Sequence, residues 1–166
     1  LDGSVSLWSL RTGEKQRGPM LVLQGPIFAT GFFEKEHGIL ALGEDRQLHA
    51  FDWKDAAGKL VNSRRLSPQP SHALAISPKW AKGAKGEMAV LAVVGNDDHT
   101  LKLVDLRSEQ GKTALRDRFT LTGHAGPVRA VAVTADGLTI ASTGPDGSVR
   151  FWRSTTLEQA LSQQQH

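Results

Sequence analysis

The sequence predicts an all-β fold, a fan of repeated four-stranded sheets, and three observations lead there. Three Pro-led apolar segments superpose, at residues 26–33 (PIFATGFF), 70–77 (PSHALAIS) and 127–134 (PVRAVAVT), each with Ala fourth: Ala29, Ala73 and Ala130. Four Asp-led segments also superpose, DGSVSLW from Asp2, DRQLHAF from Asp45, DHTLKLV from Asp98 and DGSVRFW from Asp146. The Asp positions lie 43, 53 and 48 residues apart (45 − 2, 98 − 45, 146 − 98). A period of that size is one four-stranded blade of a β-propeller plus modest loop insertions.

In chain order, residues 1–10 read as the third strand of a first, truncated unit, and the turn at Arg11 to Glu14 leads to an outer strand at 19–23. The second unit has strands at 27–33, 38–42, 47–53 and 59–66, and the third at 71–77, 88–94, 100–106 and 114–121. The fourth has strands at 127–134, 138–143 and 148–152, with no outer strand following. Boundaries fall near residues 25, 69 and 124. Residues 1–153 are therefore expected to form a partial propeller of about three to four blades whose ring does not close within this chain. Open ends would expose apolar faces and unpaired edges. The sequence thus predicts either the C-terminal part of a longer propeller or a ring completed by another copy of the chain. Past Arg153 the period changes. Thr155 and Glu158 have capping-box spacing, and Leu157, Ala160 and Leu161 share a helical face, so 154–166 is expected to be a short helical or disordered tail.

Residues 121–153, LTGHAGPVRAVAVTADGLTIASTGPDGSVRFWR, resemble a WD40 repeat. Gly123-His124 supplies its first turn, Asp146-Gly147 its hairpin and Trp152 its closing aromatic, while Arg153 stands where the family usually has Asp. The resemblance implies a structural hydrogen-bonded chain through Trp152, Ser142, His124 and Asp146. It also implies a non-catalytic scaffold or sensor module for protein–protein interaction, in a cytoplasmic signalling protein. The family's contact positions carry over to Phe28, His72 and Arg129 at the start of each first strand, and to Glu44, Asp97 and Pro145 just before each hairpin Asp. An aromatic, an imidazole and a guanidinium ringed by carboxylates suit a peptide bearing Arg or Lys. The second and third units have LQGPIF and LSPQPS in place of LTGHAGPV, with no His matching His124. Those units are expected to depend on apolar packing alone.

Other chemistries find little support in the residues. Ser142, His124 and Asp146 have the composition of a hydrolase triad, but Ser142 sits in an apolar strand facing a neighbour instead of a cleft. No enzyme activity and no cofactor are expected. The histidines at 37, 49, 72, 99, 124 and 166 have no metal-site spacing, and there is no cysteine. With 20 Lys and Arg against 17 Asp and Glu, the net charge of +3 is too small to imply a nucleic-acid partner by itself. Lys79, Lys82 and Lys85 beside Trp80, in a loop over 78–86, make the one segment suited to an anionic polymer, and they read as a solvated loop. No apolar run approaches the ~20 residues of a membrane span. The alternatives to a scaffold are a propeller-supported enzyme or an anionic-polymer or nucleic-acid binding module.

Overall fold

The computed structural model describes residues 3–17, 23, 25–33, 38–52, 59–82, 88–109 and 112–153, and every regular element among them is a β-strand. The first sheet pairs β1 (Leu7–Trp8) with β2 (Lys15–Arg17). The second contains β3 (Ile27–Phe33), β4 (Gly38–Gly43), β5 (Gln47–Asp52) and β6 (Lys59–Arg65). The third contains β7 (Ser71–Lys82), β8 (Met88–Asn96), β9 (Leu101–Glu109) and β10 (Lys112–Leu121). The last contains β11 (Ala130–Val133), β12 (Thr139–Thr143) and β13 (Val149–Arg153). Each strand pairs antiparallel with its neighbour in sequence, so every sheet is an up-and-down meander.

Side-chain alternation shows how the sheets stand. Along β4, Leu40 and Leu42 join a cluster with Val90, Ala92, Val94, Val104 and Leu106 of the third sheet. Ile39, on the other face, meets Val5 and Leu7 beside the first sheet. Along β8, Leu91 and Val93 turn the opposite way from Val90 and Val94, and pack with Val128 and Ile140 of the last unit. The second and third sheets are thus covered on both faces. That is why GILALG and MAVLAVVGN read as unbroken apolar runs. The four sheets stand face to face in chain order as a partial WD40-like propeller, and among the described residues they do not close a ring.

Among the described residues, the last sheet is covered on one face. Val131, Val133 and Trp152 pack on the third sheet, whereas Ala132, Ala141 and Phe151 lie in register on the other side. There Phe151 is 70% exposed.

Several elements differ from the expectation. Among the described residues β1 pairs with β2 at Lys15–Arg17, across a tight turn in which Ser9 N bonds Glu14 O and Gly13 N bonds Ser9 O. The expected strand at 19–23 lies almost wholly outside the described residues, as does Trp53. β7 and β8 run on past Ser77, pairing Ala81 with Ala89 and Lys82 with Met88 across a register shift. Part of the expected 78–86 loop is therefore strand. Pro78 falls inside that irregularity, where a missing N–H costs the ladder nothing. β11 starts at Ala130 instead of Pro127. The amide of Val128 is diverted to Asn96 O in the third sheet, tying two units through the backbone.

Candidate functional site

The hairpin aspartates are built alike in three sheets. One oxygen of each accepts the amide two residues on: Asp45 from Gln47, Asp98 from Thr100 and Asp146 from Ser148, each at 3.1 Å. The residue after each Asp is left-handed. Gly147 adopts this without strain at φ 72°, and Arg46 (65°) and His99 (69°) adopt it as non-glycines. The second carboxylate oxygen is then free to hold something else, and what it holds differs from sheet to sheet.

In the last sheet it holds His124, whose Nδ1 lies 2.7 Å from Asp146 Oδ2. The other ring nitrogen, Nε2, is 2.8 Å from Ser142 Oγ, and Trp152 Nε1 donates to that same Oγ at 2.8 Å. The tryptophan can donate only, so one self-consistent direction runs Trp152 N–H to Ser142 O, Ser142 O–H to His124 Nε2, and His124 Nδ1–H to Asp146. The four residues come from the loop before β11, from β12, from the hairpin and from β13. Side chains thereby join three strands beyond their ladder.

Ser142–His124–Asp146 has the bond order of a hydrolase triad, but the geometry withholds the chemistry. Ser142 is 2% exposed and its oxygen already accepts the Trp152 indole, so no carbonyl carbon can approach it.

In the second sheet Asp45 Oδ2 holds His49, four residues on, at 2.8 Å from Nε2. In the third sheet Asp98 Oδ2 accepts Ser67 Oγ at 2.7 Å. These contacts correct the expectation that apolar packing alone holds the two units. Ser67 stands three residues before Pro70 as His124 stands three before Pro127, so a hydroxyl takes the imidazole's place in a shorter bridge. Ala41 and Phe51, and Val94 and Val104, fill the positions of Ser142 and Trp152, which ends the chain there.

His124 first, and then the Ser148 amide and hydroxyl and the Ala125 amide, hold the Asp146 carboxyl well below the usual carboxylate range, against desolvation. Its folded pKa lies under the unfolded value of ~4. The stability it confers is therefore complete above that value and is lost as pH falls through the folded pKa. Asp146→Asn is expected to flatten the acid limb of a plot of melting temperature against pH. Parallel plots for variant and parent would contradict this.

The six positions expected to meet a partner lie where the Pro-led segments begin and just before the hairpin aspartates. Glu44 N bonds Pro26 O and Asp97 N bonds Pro70 O, which brings each pre-hairpin residue against the start of its Pro-led strand. Pro145 has no amide to offer. In its place Gly144 comes so close to the Pro127 carbonyl that a Cβ there would collide with it. Across the sheets, the Phe28 ring lies 4.5 Å from that of His72, centroid to centroid, at 55°. His72 Nε2 is 3.3 Å from Asp97 Oδ2, and Arg129 Nη1 is 2.8 Å from Asp97 Oδ1. Phe28, His72, Asp97 and Arg129 thus form one line over three sheets, with Glu44 and Pro145 exposed beside it. Asp97 stands within ion-pair distance of Arg129 and close to His72, which sequence reading missed: its partner Arg129 belongs to a different unit.

No cluster of three or more metal-ligating side chains occurs among the described residues. No helix among them is long and apolar enough to cross a membrane. The side chains of Lys79, Trp80 and Lys82, and residue Lys85, lie outside what is described.

The family model described as "WD domain, G-beta repeat" matches residues 116–153, the stretch that contains the four-residue chain. The chain is also similar to "Eukaryotic translation initiation factor 3 subunit I" of Drosophila willistoni, at 26% identity over 164 residues, covering 90% of this chain and 45% of that protein. The Drosophila yakuba and Drosophila melanogaster proteins of the same name are 26% identical over the same length, and 45% and 44% of each is covered. The chain spans less than half the length of the curated relatives it matches.

Proposed function

We propose that this chain, whose residues 116–153 match the WD40 repeat model, works as a non-catalytic scaffold whose partner docks across the line from Phe28 to Arg129. The observation that carries the reading is that line itself: four side chains from three units, each in contact with the next and all partly exposed, with an aromatic at one end and a guanidinium at the other. Asp97 is already occupied, so a basic partner residue meets Phe28 and Glu44. Arg129 is 47% exposed and keeps N–H groups for a partner carboxylate. The partner is thus a peptide segment with a cation and an acid several residues apart. The relatives' name, a subunit of a translation initiation factor, favours a place in a multi-protein assembly over a signalling module. That name and the cysteine-free sequence fit a cytoplasmic protein.

Chain immobilised and exposed to extract of the cells that express it should retain a defined set of proteins. Phe28→Ala and Arg129→Glu should each cut that retention about tenfold, equivalent to ~1.4 kcal/mol. Retained sets identical for parent and both variants would remove the support for this surface. The triad-like bond order favours one competing reading, and Ser142→Ala separates the two. A scaffold loses melting temperature and keeps its partners, whereas loss of a turnover in an unchanged fold would mean catalysis.

A further inference from the structure

Beneath the line from His72 to Arg129 runs a second, buried one. His72, Asp97 and Arg129 each follow a buried neighbour in sequence, Ser71, Asn96 and Val128, none of which is more than 1% exposed. Ser71 Oγ donates to Asn96 Oδ1, which joins the start of β7 to the end of β8. The Asn96 carbonyl accepts the Val128 amide at 3.0 Å, which joins the third sheet to the last unit. Gly95 lets the two units come this close, because a Cβ there would stand 2.7 Å from Val128 Cγ1.

The Asn96 side chain has one orientation. Its Nδ2 lies 3.3 Å from the Thr100 carbonyl, which can only accept, so the amide nitrogen faces Thr100 and the amide oxygen faces Ser71. Nδ2 also reaches Thr100 Oγ1 at 3.2 Å, and that hydroxyl in turn donates to Asp98 Oδ1. Donors therefore run from Ser71 to Asn96 to Thr100 to Asp98, ending on a hairpin carboxylate as the chain from Trp152 ends on Asp146. A buried chain of this kind keeps one arrangement, because any rotation would leave a polar atom unpaired away from water.

The surface contact above it has no such direction of its own. Arg129 Nη1 comes within 2.8 Å of Asp97 Oδ1, yet that oxygen has no hydrogen bond among the described residues. The contact therefore depends on where the backbone puts the two residues. The Asp97 amide is held by Pro70 O, beside Ser71, and the Arg129 amide by Thr143 O, while the Val128 amide on Asn96 O sets one unit against the other.

We infer that Ser71 and Asn96 are positioning residues for the docking line: from below they fix the spacing of His72, Asp97 and Arg129, and so where Arg129 meets a partner's carboxylate. This rests on the docking surface proposed above. Without the Ser71 hydroxyl, Asn96 Oδ1 is left unpaired in a fully buried site. The hairpin from Asn96 to Thr100 then shifts to recover a donor and carries Asp97 away from Arg129.

Ser71→Ala tests this, with Ser77→Ala as control. Both serines are buried on β7, but Ser77 bonds Ala135 O, away from the line. Ser71→Thr, which keeps a hydroxyl, is the rescue. The readout is the side-chain nitrogen resonances of Arg129, with Asp97→Ala as the reference for a lost contact. Ser71→Ala should move them most of the way to that reference, whereas Ser77→Ala and Ser71→Thr should leave them at the parent position. Retention of the proteins captured in a Phe28-dependent manner should fall about threefold for Ser71→Ala and stay unchanged for Ser77→Ala. Should Ser71→Ala not fold, Thr100→Val breaks the same chain further on and should give a smaller shift in the same direction. Arg129 resonances unmoved by these changes would overturn the inference, and so would an equal shift from Ser77→Ala, which would mean general loosening. The docking surface fails separately, if Phe28→Ala and Arg129→Glu leave retention unaltered, and the Arg129 resonances decide the positioning in either case.

Discussion

Leu40→Ala is expected to lower the unfolding free energy by about 2–5 kcal/mol, and the melting temperature by roughly 4–20 °C at roughly 2–4 °C per kcal/mol. Leu40 is fully buried, faces Ala50 across β4 and β5, and packs against Val90, Ala92 and Val104 of the next sheet. Truncation removes three carbons from an interface between two rigid sheets, which cannot collapse to refill the space. The control is Phe151→Ala. This ring is larger but lies on the uncovered face of the last sheet, so the change should stay within about 0.5 kcal/mol. Thermal and urea unfolding of the two variants measures the difference. Equal losses would mean that the sheets do not stack in chain order.

His124→Ala is the second large effect, a loss of about 1–3 kcal/mol. Removing the imidazole leaves the hydroxyl of Ser142 without its acceptor in a site 2% exposed. It also frees Asp146 from its main partner, so the acid limb should flatten as it does for Asp146→Asn. Ser142→Ala should also cost stability, because the Trp152 indole N–H and His124 Nε2 both lose their partner, but it leaves the His124–Asp146 contact in place. A melting temperature unaltered by His124→Ala would mean that the four-residue chain holds nothing together.

These two substitutions also mark what could be read from residues alone. The last unit was legible residue by residue, because its turn glycines, histidine, serine and tryptophan all kept their places. The middle units were legible as strands through their apolar runs. Their polar ties were not, for a physical reason: a carboxylate oxygen accepts any donor within ~3 Å, so His49 from inside a strand and Ser67 from a loop serve as well as His124. The spacing of Ser67 to Pro70 held a signal, visible only against His124 and Pro127. Contacts between units left no sequence trace. Arg129 and Asp97, or Val128 and Asn96, meet because two sheets stand side by side, and no local pattern records that. The extension of β7 and β8 was hidden by Pro78 and the Gly-Lys run, which read as loop.

The contact positions show the same division. Their places before each strand and hairpin follow from the repeat, whereas the contact of Asp97 with Arg129 follows from packing. The first is a matter of register and the second of which neighbours lie within ~4 Å. The expected partner changes accordingly, from a purely basic peptide to one that offers a cation to Glu44 and a carboxylate to Arg129.

The most direct test is a deuterium-exchange footprint of the chain with a protein it retains in a Phe28-dependent manner. Slowed exchange confined to residues 25–28, 68–72, 96–99 and 126–129 is the predicted result. Protection along β13 or around Phe119, with those four segments unchanged, would contradict a docking surface built jointly by three sheets.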